Sequence, residues 1–135
     1  MRLTFVLMLA MSVVVLSACG STSTPDLNVT ILLHCGSDND DCSIDGDVCR
    51  GSGRFNDLRS GMEVRIERMN GDLVDRAEAD DGVLNAANNT CTFTTTHGMK
   101  SSAGYQIYAG DRGPFTVTKT TLENSNWAVT YEFNN

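Results

Sequence analysis

The sequence predicts an all-β protein, an antiparallel β-sandwich or small barrel of about seven strands that follows an N-terminal signal helix. Three observations carry this prediction. Apolar and polar residues alternate with a period of two in several short segments, and turn-forming residues separate those segments. No segment after residue 26 keeps a helical apolar period over three turns. The length of 135 residues allows one domain, expected at residues 27–135, and excludes a two-domain enzyme.

The N-terminus has the organisation of an export signal. Arg2 precedes an uninterrupted run of mostly apolar residues at positions 3–16. At about 1.5 Å per residue this run makes a helix of roughly 21 Å, which is short for a bilayer core of about 30 Å. Residues 1–18 therefore have the proportions of a cleaved signal peptide, and not those of a permanent membrane span.

The segment Leu16-Ser17-Ala18-Cys19 resembles the lipobox of bacterial lipoproteins. The resemblance implies cleavage just before Cys19 and attachment of a diacylglyceryl group to its sulfur, with palmitate-type acyl chains as the anchor. Two acyl chains suffice for stable membrane attachment. An ordinary signal peptide and a buried helix with a chance cysteine are the alternatives. The expected location is the extracytoplasmic face of the cell membrane.

The lipidated cysteine and the polar residues after it, at 19–26, form the expected tether, which reaches only about 25 Å when fully extended. The mature chain would keep nine Lys and Arg against 17 Asp and Glu, a net charge of −8. This acidity argues against a nucleic-acid partner, because phosphate backbones attract basic surfaces. It also leaves the lipid as the expected membrane contact.

The first two predicted strands are the clearest. Their core-facing residues are Leu27, Val29, Ile31 and Leu33 in one strand and Met62, Val64 and Ile66 in the other. The second strand leads into Asn70-Gly71, a dipeptide typical of tight hairpins because both residues tolerate positive φ. The returning strand is expected at about residues 73–79.

Four later segments complete the predicted strands, at residues 91–96, 105–109, 115–118 and 127–133. In the last segment, Trp127, Val129, Tyr131 and Phe133 fall on one face, and we expect them to supply a large part of the aromatic core. Before this strand, Thr120-x-x-Glu123 is compatible with the cap of one helical turn.

Four cysteines remain after Cys19, and an even number in an exported chain indicates two disulfides. Three connectivities are possible for Cys35, Cys42, Cys49 and Cys91. We favour Cys35–Cys42 and Cys49–Cys91. A zinc site is disfavoured because the chain has no Cys-x-x-Cys pair.

From Cys49 onward the chain resembles a small extracytoplasmic β domain found in secreted proteins and lipoproteins of actinobacteria. The matching segments are Cys49-Arg-Gly51-Ser-Gly53, Phe55-Asn-Asp57-Leu58, Gly61-Met-Glu-Val64-Arg-Ile66, Asn70-Gly71, Cys91-Thr92-Phe93, Tyr105-Gln-Ile107 and Gly113-Pro-Phe115-Thr-Val117. The resemblance implies an all-β fold and supports the Cys49–Cys91 bridge. It implies no activity, catalytic residue or cofactor, and it does not cover the insert with Cys35 and Cys42.

An acidic loop at residues 38–47 is the densest polar cluster. Its carboxylates are Asp38, Asp40, Asp41, Asp45 and Asp47, and oxygen ligands of this kind suit calcium. An EF-hand alignment that starts at Asp41 lacks the closing glutamate, because Ser52 occupies that position. A solvated loop beside a disulfide is therefore favoured over a calcium site.

No motif predicts catalysis. The segment Gly51-Ser-Gly-Arg-Phe lacks the ending of a phosphate-binding loop, and His34 and His97 lie in no recognisable motif. We expect a non-enzymatic, lipid-anchored module that binds a protein or another envelope component. The alternatives are a superinfection-exclusion lipoprotein encoded by a prophage, and a calcium-dependent binder or small envelope enzyme that uses the acidic loop.

Overall fold

The computed structural model describes residues 23–134. The predicted signal peptide, Cys19 and the first part of the tether lie outside the described residues. Within them the chain forms ten strands, a 3₁₀ turn at Gly53–Phe55 and one short helix, α1 (Lys119–Asn124). The strands are β1 (Asp26–His34), β2 (Cys42–Asp45), β3 (Val48–Gly51), β4 (Glu63–Arg68), β5 (Leu73–Glu78), β6 (Gly82–Asn85), β7 (Thr90–Gly98), β8 (Gly104–Ala109), β9 (Arg112–Thr118) and β10 (Ala128–Phe133).

The strands form two sheets, and the all-β prediction is confirmed. The large sheet has the order β10-β1-β7-β6-β3-β2, and the small sheet has the order β5-β4-β8-β9. Neighbouring strands are antiparallel except β1 and β10, which run parallel. The buried core lies between the sheets, as expected for a sandwich.

The alternation of apolar residues in β1 and β4 produces the centre of the core. Leu27, Val29, Ile31 and Leu33 are at most 1% exposed, and Val64 and Ile66 are fully buried. β1 pairs with β7 over nine residues, from Asp26 opposite Gly98 to His34 opposite Thr90. A one-residue slip would turn these four apolar side chains of β1 away from the core, so burial fixes this register.

The predicted hairpin at Asn70-Gly71 is present, but its turn differs in detail. Gly71 adopts a φ of +88°, whereas Asn70 stays outside the left-handed region. The Gly71 N–H donates to the Arg68 carbonyl, and the Arg68 N–H donates to the Asp72 carbonyl. The connection is therefore longer than a two-residue turn and requires positive φ at only one position.

The last strand is less buried than its aromatic residues predicted. β10 is an edge strand that begins at Ala128, and Val129, Tyr131 and Phe133 are only half-buried. Trp127 precedes the strand with a φ of +56° and is 9% exposed. The aromatic side chains deepest in the core are instead Phe93 and Tyr105.

The helical turn before β10 is present, with a different cap. α1 is capped by Thr118, whose hydroxyl oxygen accepts a hydrogen bond from the Thr121 N–H at 3.1 Å. The predicted capping residue, Thr120, lies inside the helix. Leu122 is fully buried and anchors the turn to the sandwich.

Both favoured disulfides are present. Cys35 bonds to Cys42 within a short loop, and Cys49 bonds to Cys91 across a sequence separation of 42 residues. The second bridge ties β3 to β7, with β6 between them in the sheet. All four cysteines are buried.

No helix in residues 23–134 is both long and apolar enough to cross a membrane.

Candidate functional site

A rigid loop between the 3₁₀ turn and β4 forms one wall of the candidate site. We call residues 56–61 the Arg59 loop. Leu58 is fully buried, and its carbonyl accepts a hydrogen bond from the Gly51 N–H at 2.7 Å. After Arg59 in the chain, Met62 is 5% exposed, and its N–H donates a hydrogen bond to the Arg59 carbonyl. Arg59 is therefore an exposed side chain on a backbone that is fixed on both sides.

An ion pair from the small sheet holds the same loop. Arg112 on β9 donates from Nε to Asp57 Oδ2 at 2.8 Å and from Nη2 to Asp57 Oδ1 at 2.7 Å. Its guanidinium carbon lies 4.8 Å from the ring centroid of Phe55 and 5.2 Å from that of Phe133. Parallel hydrogen bonds and flanking rings fix both partners, since the planar guanidinium suits both contacts.

Aromatic side chains close the edge of the sandwich next to this ion pair. Phe115 on β9 stacks on Tyr131 of β10 with ring centroids 4.4 Å apart, and Phe133 contacts Phe115 edge-on at 5.8 Å. Burial raises the pKa of Tyr131 to about 12. These rings join the two sheets, and Phe133 also flanks Arg112, which holds the Arg59 loop through Asp57.

The opposite wall of the site is the β2–β3 hairpin. Ser43 and Arg50 are a cross-strand pair in this hairpin, so their side chains lie on the same face. The turn has Gly46 at its first position with a φ of +63°, which fits the type II′ turn of a two-residue hairpin. Arg50 is exposed, and the alternate residues Cys49 and Gly51 are buried.

Two adjoining cavities of about 390 and 260 Å³ lie between the hairpin and the Arg59 loop and share Ser43, Arg50 and Arg59. Together they are the Arg59 groove, lined by Ser43, Asp45, Val48, Cys49, Arg50, Gly51, Ser52, Asn56, Arg59 and Ser60. A third cavity of about 540 Å³ shares Asn56 and Arg59 and extends towards Glu63, Gly110 and Asp111. The concave surface is therefore continuous around Arg59.

The charges along this surface are unevenly compensated. Residues 23–134 contain nine lysines and arginines, and six of them form ion pairs with carboxylates. In that part of the chain Arg50, Arg59 and Lys100 form none. Two of these three cations line the same groove. The Arg59 groove is thus a local excess of positive charge on an acidic protein.

The acidic loop does not gather its carboxylates around one point. Asp38, Asp40, Asp45 and Asp47 are exposed, whereas Asp41 is buried with its Oδ1 atom 3.8 Å from Nε of Arg54. Among the described residues, no group of three or more His, Cys, Asp or Glu side chains is arranged to hold a metal ion. Residues 42–45 and 48–51 form a hairpin here, so the loop is shorter than its sequence suggested. Calcium binding stays an untested alternative to the solvated loop that the sequence favoured.

The glycine-rich segment has a packing role. A Cβ on Gly51 would lie 1.9 Å from the carbonyl oxygen of Phe55, so the close approach of the 3₁₀ turn to β3 requires glycine. Gly53 begins that turn with a φ of +56°. The segment therefore makes a tight turn.

The two histidines lie apart from the groove. His34 is 3.4 Å from Glu132 on the neighbouring strand β10. His97 is fully buried: Nε2 lies 2.9 Å from Thr95 Oγ1, and Nδ1 lies 3.3 Å from Asp75 Oδ2 without the alignment of a hydrogen bond. Burial lowers the pKa of His97, and the nearby Asp75 opposes this shift without reversing it. His97 is therefore a core residue.

The sequence analysis missed the groove residues Ser43, Arg50 and Arg59. A signal for part of the groove was present, because Gly46-Asp47 is a hairpin dipeptide of the Gly-X type with β-compatible residues on both sides. The same residues also fit a calcium loop, and that alternative obscured the hairpin.

The chain matches no protein-family model, and the searches of curated proteins and of solved structures find no match either. The likeness to lipoproteins and to an actinobacterial β domain therefore stays a prediction.

Proposed function

We propose that the protein is a lipid-anchored, non-enzymatic binding module on the extracytoplasmic face of the cell membrane. The signal peptide (1–18), the lipidated Cys19 with its tether (19–26) and the β domain (27–135) are the three parts of this proposal. The short tether keeps the domain within about 25 Å of the membrane, so its partner is another component of the envelope.

The observation that carries the binding role is the Arg59 groove. Its walls come from the β2–β3 hairpin and the Arg59 loop, and both are fixed by the core. Arg59 is exposed although Leu58 and Met62 beside it are buried. A concave surface with a few convergent polar groups on a rigid support is typical of binding sites, because little conformational freedom is lost when a ligand is bound.

The two disulfides support the envelope location. Disulfides persist in oxidising compartments and are rare in the cytosol. With Cys35, Cys42, Cys49 and Cys91 paired, Cys19 is the one cysteine of the chain left for lipid attachment.

The anchor is tested by mass analysis of the mature protein from a bacterial membrane fraction. We expect a diacylglyceryl-modified Cys19 at the N-terminus, and accumulation of the uncleaved precursor with globomycin. A Cys19→Ser variant should carry no lipid and should keep its signal peptide uncleaved by the lipoprotein pathway. An unmodified N-terminus at another residue would contradict the anchor.

The binding role is tested by affinity capture from envelope extract with the full-length chain. Two variants place the same bulky side chain at opposite edges of the large sheet: Ser43→Trp in the groove on β2, and Thr130→Trp on β10. We expect a specific partner with the wild type and with Thr130→Trp, and its loss with Ser43→Trp. Capture of no specific partner by the wild type would contradict the binding role.

A further inference from the structure

We propose that the Arg59 groove binds a phosphate ester carried by an envelope component outside the bilayer. This inference rests on the proposed function, because it names the chemistry of the ligand that the same groove takes. Its basis is the pair of guanidinium groups, Arg50 and Arg59, that line one cavity of about 390 Å³ without a carboxylate partner in residues 23–134.

The charge arrangement favours an anion between the two arginines. Like charges that face one cavity repel each other, and a low-dielectric concave surface strengthens that repulsion. The cations elsewhere in the domain are mostly held by carboxylates, as Arg112 is by Asp57 at 2.7 Å. Asp45 also lines the cavity but forms no ion pair with either arginine. An oxyanion would supply the missing counter-charge.

The donor set favours a phosphate over a carboxylate. A carboxylate has two oxygens and is satisfied by one bidentate guanidinium, whereas the groove presents two guanidinium groups. The Ser43 hydroxyl and the Asn56 amide line the same cavities, and within the described residues neither side chain has a hydrogen-bond partner. A phosphate ester offers several strongly accepting oxygens to these donors.

The surroundings disfavour an anionic lipid surface as the source of the phosphate. The mature chain carries a net charge of −8, and the surface that continues from Arg59 meets the carboxylates of Glu63 and Asp111. A membrane rich in anionic head groups would approach all of these carboxylates at once and be repelled. A single phosphate presented by a soluble or polymeric component avoids that repulsion.

The test uses the full-length chain in nanodiscs of neutral phosphatidylcholine, titrated with glycerol 3-phosphate by isothermal calorimetry. We expect binding that weakens at least about tenfold in Arg50→Gln and in Arg59→Gln, a loss of about 1.4 kcal/mol or more, because each variant removes charge-assisted hydrogen bonds to the phosphate. Lys100→Gln removes the same charge from a residue that lines none of the three cavities, and it should change the affinity less than about twofold. Circular dichroism checks that the variants are folded.

Two further arms test the ligand chemistry and its source. Acetate should bind at least about tenfold more weakly than glycerol 3-phosphate, because it lacks the additional oxygens. Nanodiscs with phosphatidylglycerol should leave the affinity unchanged. A loss of affinity only in these discs would assign the groove to lipid head groups and overturn the proposal.

The inference also fails if the wild type gives no binding heat, or if the Arg50→Gln/Arg59→Gln double variant binds as tightly as the wild type. That failure is distinguishable from failure of the binding role. If the double variant still captures the envelope partner and Ser43→Trp does not, the groove binds a partner by other chemistry.

Discussion

Arg112 forms two parallel hydrogen bonds with Asp57, at 2.8 and 2.7 Å, and thereby joins β9 of the small sheet to the loop that presents Arg59. Both side chains are largely shielded from solvent, with exposures of 25% and 15%. Phe55 and Phe133 flank the guanidinium and restrict its movement. The position of Arg59 therefore depends on a contact that bridges 55 residues of sequence.

Arg112→Ala should lower the free energy of unfolding by about 2 kcal/mol, because it leaves the Asp57 carboxylate partly buried without its donor. Arg112→Lys should restore little of this free energy, since an ammonium cannot form both parallel hydrogen bonds to the carboxylate. Urea unfolding measures both. Arg76→Ala is the control, because Arg76 lies 3.9 Å from Glu63 on an exposed surface. This variant should change the free energy of unfolding by no more than about 0.5 kcal/mol. Equal effects at the two positions would contradict the structural role of Arg112.

Gly51→Ala should destabilise the domain by about 3 kcal/mol, because the added Cβ would meet the Phe55 carbonyl oxygen at 1.9 Å and backbone cannot move aside as a side chain does. Gly98→Ala is the matched control. Gly98 also lies in a strand, and a Cβ there meets nothing within 4 Å. Thermal unfolding compares the two variants, and similar melting temperatures would refute the close approach at Gly51.

The fold class was predictable because β1 and β4 bury every second residue, which gives the alternation its strength. The strands that were missed, β2, β3 and β6, have four residues each and carry apolar side chains on the outside. In β6 the pattern is reversed: Val83 is 60% exposed and Gly82 is buried. Only glycine fits the buried position, since a Cβ there would lie 2.2 Å from the Cys49 carbonyl oxygen. The inward position of Gly82 follows from this packing, and the alternation of apolar residues in the sequence does not indicate it.

Stability should fall as the pH decreases below about 6.5, because burial lowers the pKa of His97 in the folded protein below its ordinary value of 6.5. The unfolded chain then binds a proton that the folded protein resists, so the free energy of unfolding decreases towards low pH. Urea unfolding between pH 7 and 5.5 measures the slope. His97→Gln should flatten it, and an unchanged slope in that variant would exclude His97 as its cause.

The disulfides should contribute unequally. Cys49–Cys91 closes a long loop and should contribute about 4 kcal/mol, whereas Cys35–Cys42, with a sequence separation of 7, should contribute about 2.5 kcal/mol. Paired alanine substitutions at each bridge, followed by urea unfolding, test this order. A greater loss from removing Cys35–Cys42 would contradict the loop-length argument.

The groove was less predictable than the fold, because its two arginines differ from the others only in having no carboxylate partner among the described residues. Arg50 and Arg59 stand only nine positions apart, but the sequence does not indicate which arginines are held by carboxylates. The ion pairs Arg112–Asp57 and Arg54–Asp41 form only because the fold brings separate segments together. Pairing of side chains across the sandwich thus leaves Arg50 and Arg59 without a carboxylate partner in residues 23–134.

The most direct test of the binding role is site-specific photo-crosslinking of the full-length chain in intact envelopes. A photoreactive amino acid replaces Ser43 in the groove or Thr130 on the opposite edge strand. The account predicts a discrete crosslinked adduct from position 43 and none from position 130. An adduct from position 130, with none from position 43, would contradict it.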